Sequence, residues 1–344
     1  MKIGIIGHFG GNKKFNDGQT VKTLEVNKYI ENYFKINTEK LDTYYNSKNI
    51  FSILIRTIRI MKNNDKIILI VSKRGYKVFA TIIFFLNMFY KRKLYDLVIG
   101  GNRYNLYDKN QLLKKFAKSF TKIYVETNAM KKEYNNRNIY NVDILPNFKN
   151  ISLAKPDTYK LKEKIKICSF TRVNVYKGIE DAINAVTLAN EKYGENIFFL
   201  DIYGCVDKDY KDRFNEVLKS LPSFVKYKGE VPYDKSIHTI KKYDLMLFLT
   251  FWKGEGFPGT LIDTIFAGVP VIATNWNCNF EILKENENSL KVEVNDINTV
   301  ANNLLMLYNN QKKLFYMRKH CLDSAILYTP DQAMKKFIKE LSKN

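Results

Sequence analysis

The sequence predicts an α/β protein made of two consecutive doubly wound parallel sheets. Short apolar segments alternate with longer segments in which apolar residues recur at helical spacing, which is the pattern of repeated βαβ units. A chain of 344 residues is also too long for one ordinary core. A polar stretch with Pro156 and no clear period, residues 149–164, reads as a linker. The predicted domains are therefore residues 1–150 and 151–330.

The first half opens with a strand at residues 3–6 and a glycine-containing turn. Asp17 is the predicted N-cap of the next helix, because a short polar side chain there can accept from the first free N–H groups. That helix shows an apolar face through Val26, Ile30 and Phe34. Further strands are predicted near 36–41, 67–71, 94–99, 123–125 and 142–145, with helices near 49–61, 76–90, 108–120 and 128–135.

The second half repeats this alternation. Buried parallel strands appear as continuous apolar runs, and the helices between them appear as amphipathic segments. Strands are predicted near 165–170, 197–203, 224–227, 245–249, 269–273 and 290–292. Helices are predicted near 179–192, 210–220, 235–242, 261–267 and 298–309.

The segment 243–274 contains the densest set of functional signals. An apolar run ends at Leu249, and a glycine-rich loop leads into a short apolar helix. Gly268 stands where a helix C-terminus favours a left-handed residue, and Pro270 prevents the helix from continuing. Glu255 and Asp263 flank the loop with seven residues between them. A carboxylate beside an anion-binding helix N-terminus is expected to bind hydroxyl groups, since it would repel phosphate, and a sugar nucleotide has both.

This E-x7-D loop, followed by a helix and Gly268-Val-Pro-Val-Ile-Ala, resembles the retaining GT-B glycosyltransferases of family 4, and in particular those that make capsules. The match covers residues 254–274 and differs in one position, because the second acid is Asp263 where the family has Glu. The resemblance implies the GT-B fold, two Rossmann-like domains facing each other across a cleft, with a C-terminal helix (331–344) returning to the first domain. The alternative interpretation is structural: Thr260 and Asp263 can form a capping box, and Glu255 can be a solvated acid.

The resemblance also implies how the donor is bound. Arg172 and Lys177 follow the strand 165–170, where an open sheet binds ligands, and are expected to hold the pyrophosphate. Taken alone, both are better explained as ordinary surface cations of a lysine-rich protein, and it is the Glu255 loop beside them that favours phosphate binding. Glu255 is expected to orient the sugar and Asp263 to hold the ribose. Donor-binding contacts are expected from the backbone of Gly256, Phe257, Pro258, Gly259 and Thr260, whose N–H groups face the phosphates.

Further contacts are expected from loops at strand ends. Gly204 and Val231 follow two strands where the resembled family reads the nucleobase through the backbone, and uracil is the commonest base. In the first half, Gly10 and Gly11 are expected near the donor phosphates. Asp17, Gln19 and Arg103 are candidates for contacting the acceptor. Arg103 has an equally good alternative as a solvated loop cation.

No cofactor or metal is expected. Asp207-Lys208-Asp209 spells D-x-D, the metal motif of another glycosyltransferase fold, but it follows a strand and precedes a helix, so we interpret it as a helix N-cap. The four cysteines are scattered singly, which indicates a reducing compartment rather than a disulfide or zinc scaffold.

The positive charge is concentrated in the first half. Residues 1–150 contain 28 Lys and Arg against 11 Asp and Glu, a net charge of +17, out of +21 for the whole chain. Lys73, Arg74 and Lys77 precede the apolar run 78–90, and three more cations follow it. Such a helix can lie on an anionic membrane or simply pack on its own sheet. No signal peptide is evident, and the run is shorter than the ~20 residues of a membrane span.

We expect a cytoplasmic glycosyltransferase that moves a hexose from a nucleotide sugar, with UDP as the commonest carrier, to a glycan or lipid-linked acceptor in surface polysaccharide synthesis. Weak association with an anionic membrane surface is also expected. Two alternatives remain: a basic nucleic-acid-binding protein and a sugar-nucleotide-binding protein without catalysis. The first lacks a recognisable DNA- or RNA-binding module, so no nucleic-acid partner is expected. The second is disfavoured by the presence of Glu255, Arg172 and Lys177 together.

Overall fold

The computed structural model describes residues 1–11, 18–44, 50–151 and 160–343. The chain forms two compact units. One comprises Met1–Asn150 together with Thr329–Asn344, and the other comprises Ile151–Tyr328. In the described residues each unit contains one parallel sheet of six strands, with helices between consecutive strands. The predicted α/β class with two doubly wound sheets is confirmed.

The sheet of the first unit has the strand order β2-β1-β3-β4-β5-β6. Its central strands are apolar on both sides, and all five residues of β3 are buried, as expected where helices cover both faces. The elements are β1 (Ile3–Gly7), α1 (Gly18–Phe34), β2 (Glu39–Asp42), α2 (Ile50–Asn63), β3 (Lys66–Ile70), α3 (Lys73–Tyr90), β4 (Lys93–Leu97), α4 (Asn105–Lys109), α5 (Gln111–Ser119), β5 (Lys122–Val125), α6 (Asn128–Asn135) and β6 (Val142–Ile144).

The sheet of the second unit has the order β12-β11-β10-β7-β8-β9. Two apolar clusters cover its faces, one including α7, α8 and α12 and the other α9 and α10, and α13 contributes residues to both. The elements are β7 (Ile165–Phe170), α7 (Ile179–Tyr193), β8 (Phe198–Tyr203), α8 (Lys211–Lys219), β9 (Val225–Gly229), α9 (Ser236–Ile240), β10 (Leu245–Phe248), α10 (Gly259–Ala267), β11 (Val271–Thr274), α11 (Asn279–Ile282), β12 (Ser289–Val292), α12 (Ile297–Asn309) and α13 (Gln311–Ala325).

The C-terminal residues belong to the first unit. They form α14 (Pro330–Ala333) and α15 (Lys335–Leu341). The Phe337 ring of α15 packs edge-on against Tyr124 and Tyr95, with ring centroids 4.8 and 5.9 Å apart. Lys66 donates hydrogen bonds to the carbonyl groups of Leu341 and Lys343, which places a cation at the negative end of this helix.

Two helical regions differ from the sequence prediction. The single helix expected at 108–120 is divided into α4 and α5, because Asn110 adopts an extended conformation and its side chain accepts from Leu113 N at 3.0 Å. Helix α13 was not predicted, although Leu314, Met317 and Cys321 repeat at helical spacing and are buried. None of the helices in the described ranges has the length and apolar character that crossing a bilayer requires.

Candidate active site

The topological switch point of the second sheet lies between β7 and β10. From β7 the chain proceeds outward through β8 and β9, and from β10 it proceeds in the opposite direction through β11 and β12. Loops diverge from the carboxyl ends of the strands at such a point and leave a crevice for ligands. The loop after β7 contains Arg172 and Lys177, and the loop after β10 contains Glu255. The strand order therefore brings these three predicted residues to one end of one sheet.

Lys177 and Glu255 form an ion pair between these two loops. Their side chains are only 10% and 14% exposed. The Thr250 hydroxyl donates a second hydrogen bond to the same carboxylate oxygen of Glu255, at 3.0 Å. A carboxylate with little solvent access needs such partners to offset its desolvation. Glu255 is therefore held in a defined position, and the interpretation of this residue as a freely solvated loop acid is wrong.

The loop after β7 is shaped to bring Lys177 to this position. The Asn174 side chain accepts from Tyr176 N at 2.9 Å and begins a 3-10 turn, Val175–Lys177. The turn ends at Gly178, whose φ is +64°. A Cβ atom there would lie 2.3 Å from the carbonyl oxygen of Leu249 at the end of β10. Only glycine allows the two loops to approach this closely.

Arg172 has a different environment from Lys177. Its side chain is 67% exposed, and its Nη1 atom lies 3.6 Å from Asp207 Oδ1 in the loop after β8. The other oxygen of Asp207 accepts from Asn174 Nδ2 at 2.8 Å. Asp207 occupies the N-cap position of the 3-10 helix Lys208–Tyr210, but its side chain makes no capping hydrogen bond. The prediction that this acid caps a helix is therefore wrong, because its carboxylate is bound to the loop after β7.

The loop that contains Glu255 is braced by the segment after β11. Trp276 Nε1 donates to Trp252 O at 2.9 Å, and Asn277 Nδ2 lies 3.3 Å from the carbonyl oxygen of Glu255. Within the loop, Glu255 N donates to Trp252 O at 3.0 Å. Sequence reasoning missed the bracing residues Trp276 and Asn277. The only sequence signal for them is their position directly after a predicted buried strand.

Helix α10 begins at Gly259, immediately after Pro258, and its N-terminus has no side-chain cap. The first backbone N–H groups of a helix have no partner within it, so side chains, water or a ligand can satisfy them. Leu261 N donates to Pro258 O at 3.0 Å. Thr260 lies inside the helix and does not occupy the N-cap position, so the alternative of a capping box is wrong. Asp263 lies one turn further along and is 5% exposed. Phe257, just before the helix, packs its ring against Tyr328, and Gly268 ends the helix with φ +67° as predicted.

Gly204 has a structural role in the contact between the loops after β7 and β8. Its φ is +138°, and a Cβ atom would lie 1.8 Å from the carbonyl oxygen of Thr171. Its N–H donates to Gly229 O at 2.9 Å, and its carbonyl accepts from the Tyr227 hydroxyl at 2.8 Å. Both backbone groups therefore have partners within the protein. The expectation that this segment reads the nucleobase stays a prediction. Val231 lies half-buried in the loop after β9.

In the first unit, the loop after β1 is held by Asp42, which sequence reasoning did not identify. Its carboxylate accepts from Phe9 N at 3.0 Å and from Gly11 N at 2.8 Å. The N–H of Gly11 is therefore already bound in this structure, and Gly10 is buried. Gln19 lies in the first turn of α1 and is half-buried. Asp17, the other candidate for an acceptor contact near the start of the chain, lies outside the described residues.

Arg103 is not a surface residue, so the prediction that it contacts the acceptor is wrong. Its side chain is 1% exposed and forms a buried ion pair with Asp96, at 2.7 Å between Nη2 and Oδ2. The guanidinium also lies over the Tyr76 ring, 4.4 Å from its centroid. Burial raises the pKa of Asp96, and the neighbouring Arg103 guanidinium opposes that increase. The apolar surroundings of this cation come from α3 and α4, which the local sequence around Arg103 does not reveal.

Acidic side chains do not gather into a metal site in the part of the chain that the structure describes. No group of three or more His, Cys, Asp or Glu residues there has a metal-binding arrangement. Asp207 is bound to Asn174 and Arg172, whereas Asp209 is exposed.

Comparison with known proteins agrees with this architecture. Residues 152–321 match the family model of glycosyl transferases group 1. An uncharacterized glycosyltransferase of Methanocaldococcus jannaschii is 23% identical over 160 residues, which is 45% of this chain and 40% of that protein. The chain thus spans less than half the length of this relative.

Solved structures that are similar over much of the chain include those of HepE and TarM. HepE of Anabaena, in complex with UDP, has a TM-score of 0.78 and 13% identity, covering 99% of this chain and all of HepE. TarM of S. aureus has a TM-score of 0.65 and 17% identity, covering 84% of this chain and 59% of TarM. At these identities the likeness concerns the fold. The chain therefore carries a glycosyl transferases group 1 domain in its second unit, and its two parallel six-stranded sheets match the GT-B glycosyltransferase fold.

Proposed function

We propose that the protein is a retaining glycosyltransferase that transfers a hexose from a nucleotide sugar to a hydroxyl group of a glycan or lipid-linked acceptor. The observation that carries this proposal is the Lys177–Glu255 pair at the switch point between β7 and β10. A cation that can meet phosphate and an acid that can accept from sugar hydroxyls are adjacent there, beside an uncapped helix N-terminus. HepE, which has the same fold, was solved with UDP and with UDP-glucose, so UDP is the carrier that we propose.

The chemistry requires stabilisation of a leaving group. Breaking the bond between the anomeric carbon and the pyrophosphate leaves two electrons and negative charge on the nucleoside diphosphate. Lys177, Arg172 and the N–H groups at the start of α10 are placed to stabilise that charge. Because fixed cations and helix N–H groups meet the charge, we propose that the reaction needs no metal ion.

The remaining donor contacts follow from the same arrangement. We assign Glu255 to the sugar hydroxyls and Asp263 to the ribose, where its shorter side chain replaces the Glu of the resembled family. The backbone of Gly256–Thr260 lies against the phosphates. Retention then follows a same-face route, in which the departing phosphate accepts the proton of the acceptor hydroxyl, since no second matched carboxylate is available as a nucleophile.

For the acceptor, we propose a growing surface polysaccharide such as a capsule, assembled in the cytoplasm at the inner face of the membrane. A surface of the first unit supports the membrane assignment. Several large apolar side chains of α2 and α3 are exposed: Ile55 (66%), Phe85 (51%), Met88 (64%) and Phe89 (82%). Lysines and arginines flank these helices, and an apolar surface with a cationic margin suits an anionic bilayer. Ile55 and Met88 offer a nucleic acid neither charge nor a ring on which a base could stack, so the membrane is the better partner for this surface.

Ligand binding tests the proposal directly. The full chain is heated with UDP, other nucleoside diphosphates and their sugar conjugates, and the unfolding temperature is recorded. A ligand at 100 times its Kd stabilises a protein by ~2.7 kcal/mol, which such a scan resolves. Stabilisation by a sugar nucleotide, followed by release of its diphosphate only when an acceptor is present, supports a transferase. Stabilisation without transfer to any acceptor points to a binding protein instead. A reaction that EDTA abolishes and Mg²⁺ or Mn²⁺ restores would overturn metal independence.

A further inference from the structure

The loop after β8 contributes a carboxylate to the proposed phosphate site. Asp207 is the first acid of the D-x-D sequence, and the proposed reaction gives it no role. Its backbone N–H donates to Val173 O at 3.0 Å, and Val173 N donates to Cys205 O at 2.8 Å. These two hydrogen bonds fasten the loop after β8 to the loop after β7. The side chain of Asp207 is thereby fixed beside both Asn174 and Arg172.

The two oxygens of Asp207 have different partners. Oδ2 accepts from Asn174 Nδ2 at 2.8 Å, a good hydrogen bond between half-buried groups. Asn174 in turn begins the 3-10 turn that ends at Lys177. Oδ1 lies 3.6 Å from Arg172 Nη1, which is a loose ion pair with 67% of the arginine side chain exposed. One oxygen therefore supports the turn that positions Lys177, and the other engages Arg172 weakly.

We infer that Asp207 is a positioning residue that occupies Arg172 until a diphosphate displaces it. This inference rests on the proposed function, because it assumes that Arg172 binds the pyrophosphate. A diphosphate carries more negative charge than one carboxylate, so Arg172 exchanges partners when the donor enters. Asp207 remains bound to Asn174, and its negative charge beside the vacated position disfavours the bound diphosphate. Release of the leaving diphosphate is thereby assisted, at the cost of weaker binding.

The inference predicts different UDP affinities for two substitutions of Asp207. Asp207→Asn keeps an oxygen for Asn174 Nδ2 and removes the charge, so UDP binds more tightly. Exposed ion pairs contribute up to ~1 kcal/mol, which corresponds to a gain in affinity of about two- to fivefold. Asp207→Ala also removes the support of Asn174, so its UDP affinity falls below that of Asp207→Asn. Asp209→Asn is the matched control, since it removes the same charge from an exposed side chain two positions away.

Calorimetric titration of the full-length variants with UDP and with uridine provides the test. We expect Asp207→Asn to bind UDP more tightly than the wild type and uridine equally well. The gain in UDP affinity should be smaller at 0.5 M salt than at 0.1 M, because the shorter Debye length screens the charge of Asp207 in the wild type. Equal gains in Asp207→Asn and Asp209→Asn would overturn the inference in favour of a general charge effect. Equal affinities in Asp207→Asn and Asp207→Ala would overturn the role of Asn174.

The outcomes separate this inference from the proposed function. If the wild-type protein binds no nucleoside diphosphate, the proposed function fails. If it binds UDP but Asp207→Asn shows no gain, only the inference fails. Loss of UDP binding in Asp207→Asn, restored by Mn²⁺ at high concentration, would instead make Asp207 a metal ligand. Thermal unfolding of each variant establishes that the folded protein is being compared.

Discussion

Lys177 and Glu255 lie 78 positions apart in the sequence, yet they form an ion pair that is largely shielded from solvent. The pair joins the loops that follow β7 and β10, the two strands on either side of the switch point. Neither residue can be changed without affecting the other, since a buried charge left without its partner is costly. This coupling governs several of the expected outcomes.

Glu255→Gln is expected to lower transfer by ~100-fold or more while the protein stays folded. The amide keeps the shape of the side chain and a hydrogen bond to Lys177 but loses the charge that binds the sugar hydroxyls in the transition state. UDP affinity should not decrease, because the contact is to the sugar and the neutral amide no longer competes with phosphate for the charge of Lys177. Steady-state kinetics measure the transfer rate, and titration of the same preparation with UDP measures the affinity. Turnover at the wild-type rate would contradict the role of Glu255.

Arg172→Ala and Lys177→Ala are both expected to weaken binding of UDP, but only the second should lower stability. Arg172 is 67% exposed and loosely paired, so its loss leaves no buried group without a partner. Removing Lys177 leaves the Glu255 carboxylate, which is shielded from solvent, without its cation. Titration with UDP and with uridine, alongside thermal unfolding, separates the effects. Asp263→Ala provides the comparison, because this variant should bind both uridine and UDP more weakly. Identical behaviour of the three variants would show that the division of roles is wrong.

Gly178→Ala is expected to destabilise the second unit and impair UDP binding. The added Cβ atom would collide with the Leu249 carbonyl, so the loop after β7 must move away from β10. Gly194→Ala is the matched control. Gly194 also has a positive φ, +89°, but a Cβ atom there meets nothing within 4 Å. Both variants incur the strain of a left-handed alanine, of order 1 kcal/mol. If chemical denaturation shows that Gly178→Ala and Gly194→Ala lose the same free energy of unfolding, the close approach at Gly178 is unimportant.

Arg103→Leu is expected to cost about 3–5 kcal/mol of folding free energy, because it leaves Asp96 buried without its cation. The double variant Arg103→Leu/Asp96→Leu should recover much of that loss. Denaturant unfolding of the two variants measures the difference. A stable Arg103→Leu protein with an increased KM for the acceptor would instead restore the interpretation of Arg103 as an acceptor contact.

Association with membranes should depend on the exposed side chains of α3. We expect the protein to sediment with vesicles that contain anionic lipid and not with neutral vesicles. Salt should release it from the anionic vesicles. The double variant Met88→Ser/Phe89→Ser should bind several-fold more weakly, because it removes the most exposed apolar groups of the helix. Leu161→Ser is the control, since Leu161 is 78% exposed but belongs to the second unit. Equal losses in both variants, or equal binding to both lipids, would contradict a membrane surface on α2 and α3.

The sequence by itself determined the two doubly wound sheets, because hydrophobic periodicity is a local property and each strand and helix shows its own period. It also determined that Arg172, Lys177 and Glu255 follow strands, and ligands bind at strand ends in such sheets. Helix α13 was not predicted, although its buried residues Leu314, Met317 and Cys321 follow a helical period.

The tertiary structure decided which of these polar side chains meet and which are buried. Spacing along the chain does not reveal that the loops after β7, β8 and β10 converge, so the partners of Lys177 and Asp207 could not be predicted. Arg103 looked like a loop cation because its nearest neighbours in sequence are polar, whereas Asp96 and Tyr76 come from other elements. Burial and charge pairing depend on contacts between distant segments, and those contacts exist only once the sheet has assembled.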